Sequence, residues 1–202
     1  MRKHIDRRRW TGVLVEPQDR AAEELRKLYR CNDRIIILQA ALDRERGRRT
    51  FFTVESESAP AWTGMLASFQ REHIVKHSRW APRVESMIRE RMVDCVTFDD
   101  ILARMPDERL DLLQIDAEGA DAYLLSLFPF DRVRPPILHR EIKHHTKVDN
   151  ERCFQRLAGF GYRFALSGGG GDMIGALDRG HESSPGHPGP PQYGSGSAPT
   201  SS

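Results

Sequence analysis

Hydrophobic residues along this chain fall into short runs separated by longer amphipathic stretches. Gly12–Glu16 (GVLVE) is an apolar run that stops at Pro17 and reads as a buried strand. Asp19 then caps a helical pattern with Ala22, Leu25, Leu28 and Tyr29 on one face. Arg34–Leu42 holds IIILQAAL, a second buried strand, and Arg49–Val54 (RTFFTV) predicts a short extra strand. Residues 55–92 read as irregular, with Trp62, Phe69 and Trp80 spread through them and a short helix over Ser68–His77. Val93–Thr97 reads as extended, and the stretch from Phe98 (FDDILARM) as helical. Leu110–Asp116 (LDLLQID) is the clearest strand after the first and runs into an amphipathic helix beginning near Glu118. Pro136–Ile142 predicts another strand, and Asn150 caps a helix over 151–159. Tyr162–Ser167 and Met173–Asp178 predict a hairpin around Gly168–Gly171.

Strands alternating with helices predict an α/β fold: a parallel sheet with helices on both faces, extended by a C-terminal antiparallel hairpin at its edge. That domain takes in residues 1–178. In residues 179–202, sixteen of 24 are Gly, Pro or Ser, too little apolar surface to repay ordering, so this tail is expected to be disordered.

Composition narrows the function classes. A formal net charge of +2 over 202 residues gives no global drive toward nucleic acid, so no specific nucleic-acid partner is expected. Five of the first nine residues are Lys or Arg, which suits a solvated helix face or a basic arm. No apolar run approaches the roughly 18 residues of a membrane span, and the N-terminus lacks a secretory apolar segment. The expectation is a cytoplasmic protein with no membrane partner. Cys31, Cys95 and Cys153 fit no CxxC pattern and read as reduced structural thiols. His144 and His145 are adjacent, so on a strand they face opposite sides; no metal site is expected.

In open α/β sheets, ligands bind beyond the carboxyl ends of the strands. Three acidic positions fall at such ends: Glu16, Asp116 with Glu118, and Glu141. A carboxylate at Glu16 can accept hydrogen bonds from both hydroxyls of a ribose; the alternative is a solvated glutamate before a proline turn. Asp116 and Glu118 either cap the helix that follows or meet a cofactor or substrate hydroxyl, and a carboxylate there can take a proton during transfer. Glu141 lies in ILHREIKHH. Alternation puts His139, Glu141 and Lys143 on one face and Leu138, Arg140 and Ile142 on the other. It is either an active-site carboxylate or half of an ion pair with a neighbour such as Lys143. A glycine-rich phosphate turn normally precedes a ribose-binding acid by about 20 residues. Counting back from Glu16 passes residue 1, so the first strand and its glycine loop are expected to be lacking. Gly168–Gly171 follows a late strand and opens no helix, so it does not substitute.

The segments GVLVEPQ (12–18), QAALD (39–43), VTFDDIL (96–102), LDLLQIDAEGAD (110–121) and PPILHREIKH (135–144) together resemble the FkbM family of methyltransferases. ASFQREHIVKH (67–77), GYRFALS (161–167) and MIGAL (173–177) add to the likeness, which covers roughly residues 10–178. The resemblance implies a class I, Rossmann-like fold lacking its first strand and glycine loop, with S-adenosyl-L-methionine as cofactor. It implies that Glu16, with Pro17 beside it, binds the ribose, that Ala40 and Ala41 lie near the adenine, and that Asp116 lies near the methionine moiety and the transferred methyl. Glu118 and Glu141 would line the reaction centre with Asp116 as catalytic residues. The implied reaction is methylation of a hydroxyl oxygen on a sugar or secondary metabolite, a small-molecule acceptor. Where one branch of the family shows FEH, this chain has His139-Arg140-Glu141-Ile142. Two other readings stand beside it: a non-catalytic remnant or binding module of the same fold, and a NAD-dependent oxidoreductase, since Glu16 suits any ribose. Exposed sheet edges left by a lacking strand would favour a homo-oligomer.

Overall fold

The computed structural model describes residues 5, 9–55, 61–105, 109–143, 146–167 and 171–178. The tail at 179–202, the His144-His145 pair, Gly168–Gly170 and most of the basic first nine residues lie outside the described residues. Among the described residues, strands and helices follow one another as β1 (Gly12–Val15), α1 (Asp19–Tyr29), β2 (Ile35–Leu38), β3 (Ala41–Leu42), β4 (Gly47–Val54), β5 (Ala67–Ser68), α2 (Arg71–Val75), α3 (Val84–Met87), β6 (Ile88–Val96), α4 (Phe98–Leu102), β7 (Leu112–Ile115), α5 (Asp121–Leu127), β8 (Ile137–Glu141), α6 (Lys147–Gly159), β9 (Tyr162–Leu166) and β10 (Asp172–Leu177). Single 3-10 turns cover Ala61–Met65 and Lys76–Arg79.

The class is α/β, but the strands form three sheets where the sequence suggested one: β1-β2, β7-β8-β10-β9 and β3-β6-β4-β5. The split falls inside Arg34–Leu42. Ile35–Leu38 pairs in parallel with β1, while Ala41–Leu42 pairs in parallel with β6. Between them the side chain of Gln39 turns onto α1, donating to Asp19 at 2.5 Å and accepting from Arg26 at 2.7 Å. The stretch 88–92, expected to be irregular, belongs to β6, which pairs antiparallel with all of β4. Its residues are mostly exposed and charged, so hydrophobic alternation does not reveal it. Cross-strand pairs Arg48–Asp94 at 3.4 Å and, past the end of β4, Glu55–Arg91 at 2.7 Å accompany this pairing.

In the sheet β7-β8-β10-β9, β7 and β8 are parallel and β10 runs antiparallel to both neighbours. The terminal hairpin forms as expected, but its second strand lies inside the sheet and β9 takes the edge. Gly175 permits this. A Cβ there would stand 3.3 Å from Leu138 Cβ and 3.4 Å from a Phe164 ring carbon, tighter than packed atoms normally sit.

The helix starts differ from expectation in instructive ways. Asp19 is in the first turn of α1 and does not cap it; the cap position is Gln18, with no side-chain bond. A first-turn carboxylate acts instead through the helix dipole. Helix α6 starts earlier than expected, because Thr146 caps it by accepting from Asp149 N. Asn150 is diverted to the sheet, accepting from Arg140 and donating to the Ile142 carbonyl. Helix α4 has a full capping box between Thr97 and Asp100.

The main core lies over β7-β8-β10-β9. Ile115, Leu138, Met173 and Tyr162 meet Leu124, Leu125, Phe154 and Leu157 of α5 and α6. Phe98, Phe128, Phe130, Phe160 and Tyr162 form a chain of ring contacts, and the Tyr162 hydroxyl donates to the Pro135 carbonyl at 2.7 Å. Each fully buried large side chain contributes about 1.5–3 kcal/mol. Among the described residues, no helix is long and apolar enough to cross a membrane.

Candidate active site

The acidic positions sit at strand ends. Asp116 follows β7, whose Ile115 is in register with Arg140 of β8, so Asp116 comes level with Glu141. On the other side, Glu141 pairs directly with Asp172, the first residue of β10. Three neighbouring strands, about 4.8 Å apart, therefore carry a row of carboxylates: Asp116, Glu141 and Asp172. Like charges directly opposed across a sheet are destabilising, which makes the row costly as a purely structural feature.

Lys143 brings a cation into the row. Lys143 makes an ion pair with Glu141, whose side chain is only 12% exposed. The bond to Glu141 raises the Lys143 pKa, and the fields of Glu118 and Asp116 add to it. Burial pushes Asp116 above the ordinary carboxylate range. Glu141, Asp121 and Asp172 push it further, and Lys143 pulls it back. Structure thus brings Asp116, Glu118 and Glu141 together around Lys143. The expected alternation on β8 holds: Leu138, Arg140 and Ile142 are buried, and Glu141 faces the other way with Lys143. Both readings of Glu141 meet here, since it is ion-paired and also adjoins Asp116.

The turn between β7 and α5 separates the two readings of Asp116 and Glu118. Glu118 has φ +46 and Gly119 φ +98, and Ala120 N bonds back to Ala117 O at 3.0 Å. This turn delays α5 to Asp121, so the helix does not begin at Glu118, and its cap position is Ala120. Neither Asp116 nor Glu118 caps it. A non-glycine residue in the left-handed region costs of order 1 kcal/mol and is typical of functional turns. Asp121 is buried and its carboxylate accepts from Gly119 N at 3.3 Å, holding that turn.

Glu16 lies on the β1-β2 unit. Its N–H donates to Leu38 O at 3.0 Å and its Oε1 accepts from Gln18 N at 2.8 Å. Burial raises its pKa, partly offset by the Gln18 bond. Pro17 beside it is half-buried. Ala40 and Ala41 are buried, Ala40 in the break after β2 and Ala41 on β3.

Two residues escaped the sequence reading. Asp172 lies in the terminal hairpin, just before MIGAL, and its register with Glu141 brings it in. Asp43, the last residue of QAALD, is 2% exposed. It accepts from the Tyr123 hydroxyl at 2.7 Å, from Arg44 N at 2.8 Å and from Arg49. Burial pushes its pKa up, but those bonds outweigh it and leave the carboxyl below its ordinary value. Asp43 thereby ties the loop after β3 to α5, the helix that follows the Glu118 turn. Its place at the end of the QAALD segment was a signal available in the sequence.

A cleft of about 300 Å³ opens between α5 and α6, lined by Tyr123, Arg152, Cys153 and Arg156 among others. Arg140 reaches Cys153 and Asn150 of α6 from the opposite face of β8 to Glu141. The cleft and the carboxylate row therefore lie on different sides of the sheet. Among the described residues, no three His, Cys, Asp or Glu side chains group so as to hold a metal ion. All three cysteines are free thiols.

The family model of the methyltransferase FkbM domain matches residues 1–164. The chain belongs to the FkbM methyltransferase family. The match takes in β1, the carboxylates at 16, 116, 118 and 141, and the aromatic segment between β4 and β6. Comparison with curated proteins and with solved structures finds no match. As a member of the FkbM family the chain is a methyltransferase in kind, and membership of such a family suggests a cofactor of the S-adenosylmethionine type.

Proposed function

We propose that this FkbM protein transfers a methyl group from S-adenosyl-L-methionine to a hydroxyl oxygen of a sugar or secondary metabolite. The observation that carries the reading is the placement of Asp116 and Glu141 side by side at the ends of parallel strands, with Lys143 between carboxylates. We read β2-β1 and β7-β8-β10-β9 as two wings of a Rossmann-like arrangement, since each parallel pair ends in a candidate site acid.

The residues fit the cofactor. Glu16 is partly desolvated, and its hydrogen bond from Gln18 occupies Oε1. Oε2 retains acceptor capacity for ribose hydroxyls. Pro17 shapes the turn beside it, while the small, buried Ala40 and Ala41 leave the neighbouring backbone approachable for an adenine. Bound S-adenosylmethionine supplies an electrophilic sulfonium methyl.

The chain's own residues do the rest. Asp116, raised by burial and by its acidic neighbours, is a better proton acceptor than an exposed aspartate. It receives the acceptor hydroxyl's proton as the oxygen becomes nucleophilic. Glu141, fixed by Lys143, and Glu118, fixed by its turn, orient the hydroxyl, and this positioning is the larger part of the rate gain. A labelled-methyl transfer assay over a panel of hydroxylated acceptors tests the reading. Asp116→Asn should cut turnover about 10²–10⁴-fold, and turnover unchanged in that variant contradicts the assignment.

A further inference from the structure

The segment between β4 and β6 carries an aromatic row that the cofactor and transfer groups do not use. Trp62, His77 and Trp80 stand in sequence across it, with ring centroids 6.0 Å apart in both steps. Trp62 is 37% exposed and Trp80 is 63% exposed. Contiguous exposed aromatic surface on a soluble domain marks a contact site. The row sits at the strand end already described. The carbonyl of Met65, three residues after Trp62, accepts from the Gln18 side chain at 3.5 Å, and the Gln18 backbone holds the Glu16 carboxylate.

Cations outnumber acids over residues 61–87 of this segment: Arg71, Lys76, Arg79 and Arg83 against Glu72 and Glu85. Lys76, Arg79 and Arg83 lie on the segment that carries the rings and are exposed, and among the described residues none of the three has an ion-pair partner. On the sheet β3-β6-β4-β5, by comparison, Arg48 pairs with Asp94, Arg49 with Asp43 and Arg91 with Glu55. Arg79 lies 5.7 Å from the Trp80 ring centre, close enough to orient it. Arg83 is held at φ +70 at the start of α3, a costly conformation for a non-glycine residue.

The ring geometry selects among anionic ligands. Interplanar angles of 59° and 50° make the row corrugated. Successive flat bases stack best on parallel faces. A puckered saccharide ring presents C–H groups on both of its faces and follows a corrugated surface better.

We propose that Trp62, His77 and Trp80, with Lys76, Arg79 and Arg83, form the acceptor-docking surface, and that the acceptor is an anionic saccharide carrying a carboxylate or a phosphate. This rests on the methyltransferase reading above and names the class of molecule it modifies. The rings hold the sugar face, the cations hold the anionic group, and the Gln18–Met65 contact sets the platform beside the cofactor end.

The test is a fluorescence titration of the full chain, whose tryptophans include Trp62 and Trp80. The probes are trigalacturonate, glucose 6-phosphate, maltotriose and a thymidine oligonucleotide. Saturable quenching by trigalacturonate or glucose 6-phosphate is expected, and which one binds identifies the anionic group. Maltotriose should bind at least about ten-fold more weakly. Trp80→Ala should weaken binding of the acidic saccharide about ten-fold, and Arg79→Gln should weaken it by a larger factor than it weakens maltotriose binding. Circular dichroism of both surface variants checks that they fold. Equal binding of neutral and acidic saccharides, tighter binding of the oligonucleotide, unchanged affinity in Trp80→Ala, or no binding by any probe overturns the proposal. Calorimetric titration of the same sample with S-adenosylmethionine keeps the two readings apart. Cofactor binding without saccharide binding sinks the platform alone, and the absence of cofactor binding sinks the methyltransferase reading.

Discussion

The β1-β2 unit, which carries Glu16, and the sheet β7-β8-β10-β9, which carries Asp116 and Glu141, are built on different foundations. The larger sheet rests on a cluster of twelve buried apolar residues, from Phe98 to Met173. The smaller unit rests on Ile5, Tyr29 and Ile35 among the described residues, with Leu14, Leu25 and Ile37 only partly buried against them. Burial of this kind sets how firmly a backbone is held. The half of the candidate site that carries Asp116 and Glu141 is therefore pre-ordered. The half that carries Glu16 has less packing of its own among the described residues and stands to gain more order from a ligand that binds there.

Core truncation breaks or sharpens this contrast most strongly. Leu138→Ala should cost about 2–5 kcal/mol, because Leu138 is 1% exposed and its truncation leaves a cavity inside the twelve-residue cluster. Ile35→Ala in the smaller cluster should cost about 2 kcal/mol or less. Denaturant unfolding of both variants checks the difference, and equal losses would remove the contrast.

The next effect is at the turn after β7. Glu118→Gly should raise stability by about 1 kcal/mol, since glycine adopts φ +46 without strain. It should lower methyl transfer at the same time. A variant that loses both stability and activity would return Glu118 to a structural role.

The smallest effect is electrostatic. Lys143 lowers the Asp116 pKa against the acids that raise it. Lys143→Met should therefore move the acidic limb of the pH–rate profile upward, by about one pH unit or less. The sign follows from the raised state of Asp116: a carboxyl that holds its proton to higher pH is an available base only above that pH. A limb that stays in place would mean that Lys143 does not act on the base.

Much of this arrangement was legible in the sequence because it follows short periodic signals. VLVE, LLQID and ILHRE are apolar runs ending in acids, and each acid stands at or just past the end of its strand. The alternation on ILHRE correctly divided Leu138 and Arg140 from Glu141 and Lys143. What was not legible depends on partners distant in the chain. The polar half of β6 has no apolar face to betray it and exists because β4 pairs with it. Asn150 looked like a cap, but Arg140 and the Ile142 carbonyl claim its side chain and leave capping to Thr146. Asp172 joins the carboxylate row only through strand register, and no local pattern encodes that.

The central claim is that Glu16 holds the ribose of S-adenosylmethionine in a chain whose transfer centre is Asp116 with Glu141. Calorimetric titration of the protein with S-adenosylmethionine, beside Glu16→Ala, tests it most directly. Saturable binding to the parent chain that is lost in the variant is the expected result. No heat of binding at millimolar cofactor, or an affinity that survives Glu16→Ala, contradicts it.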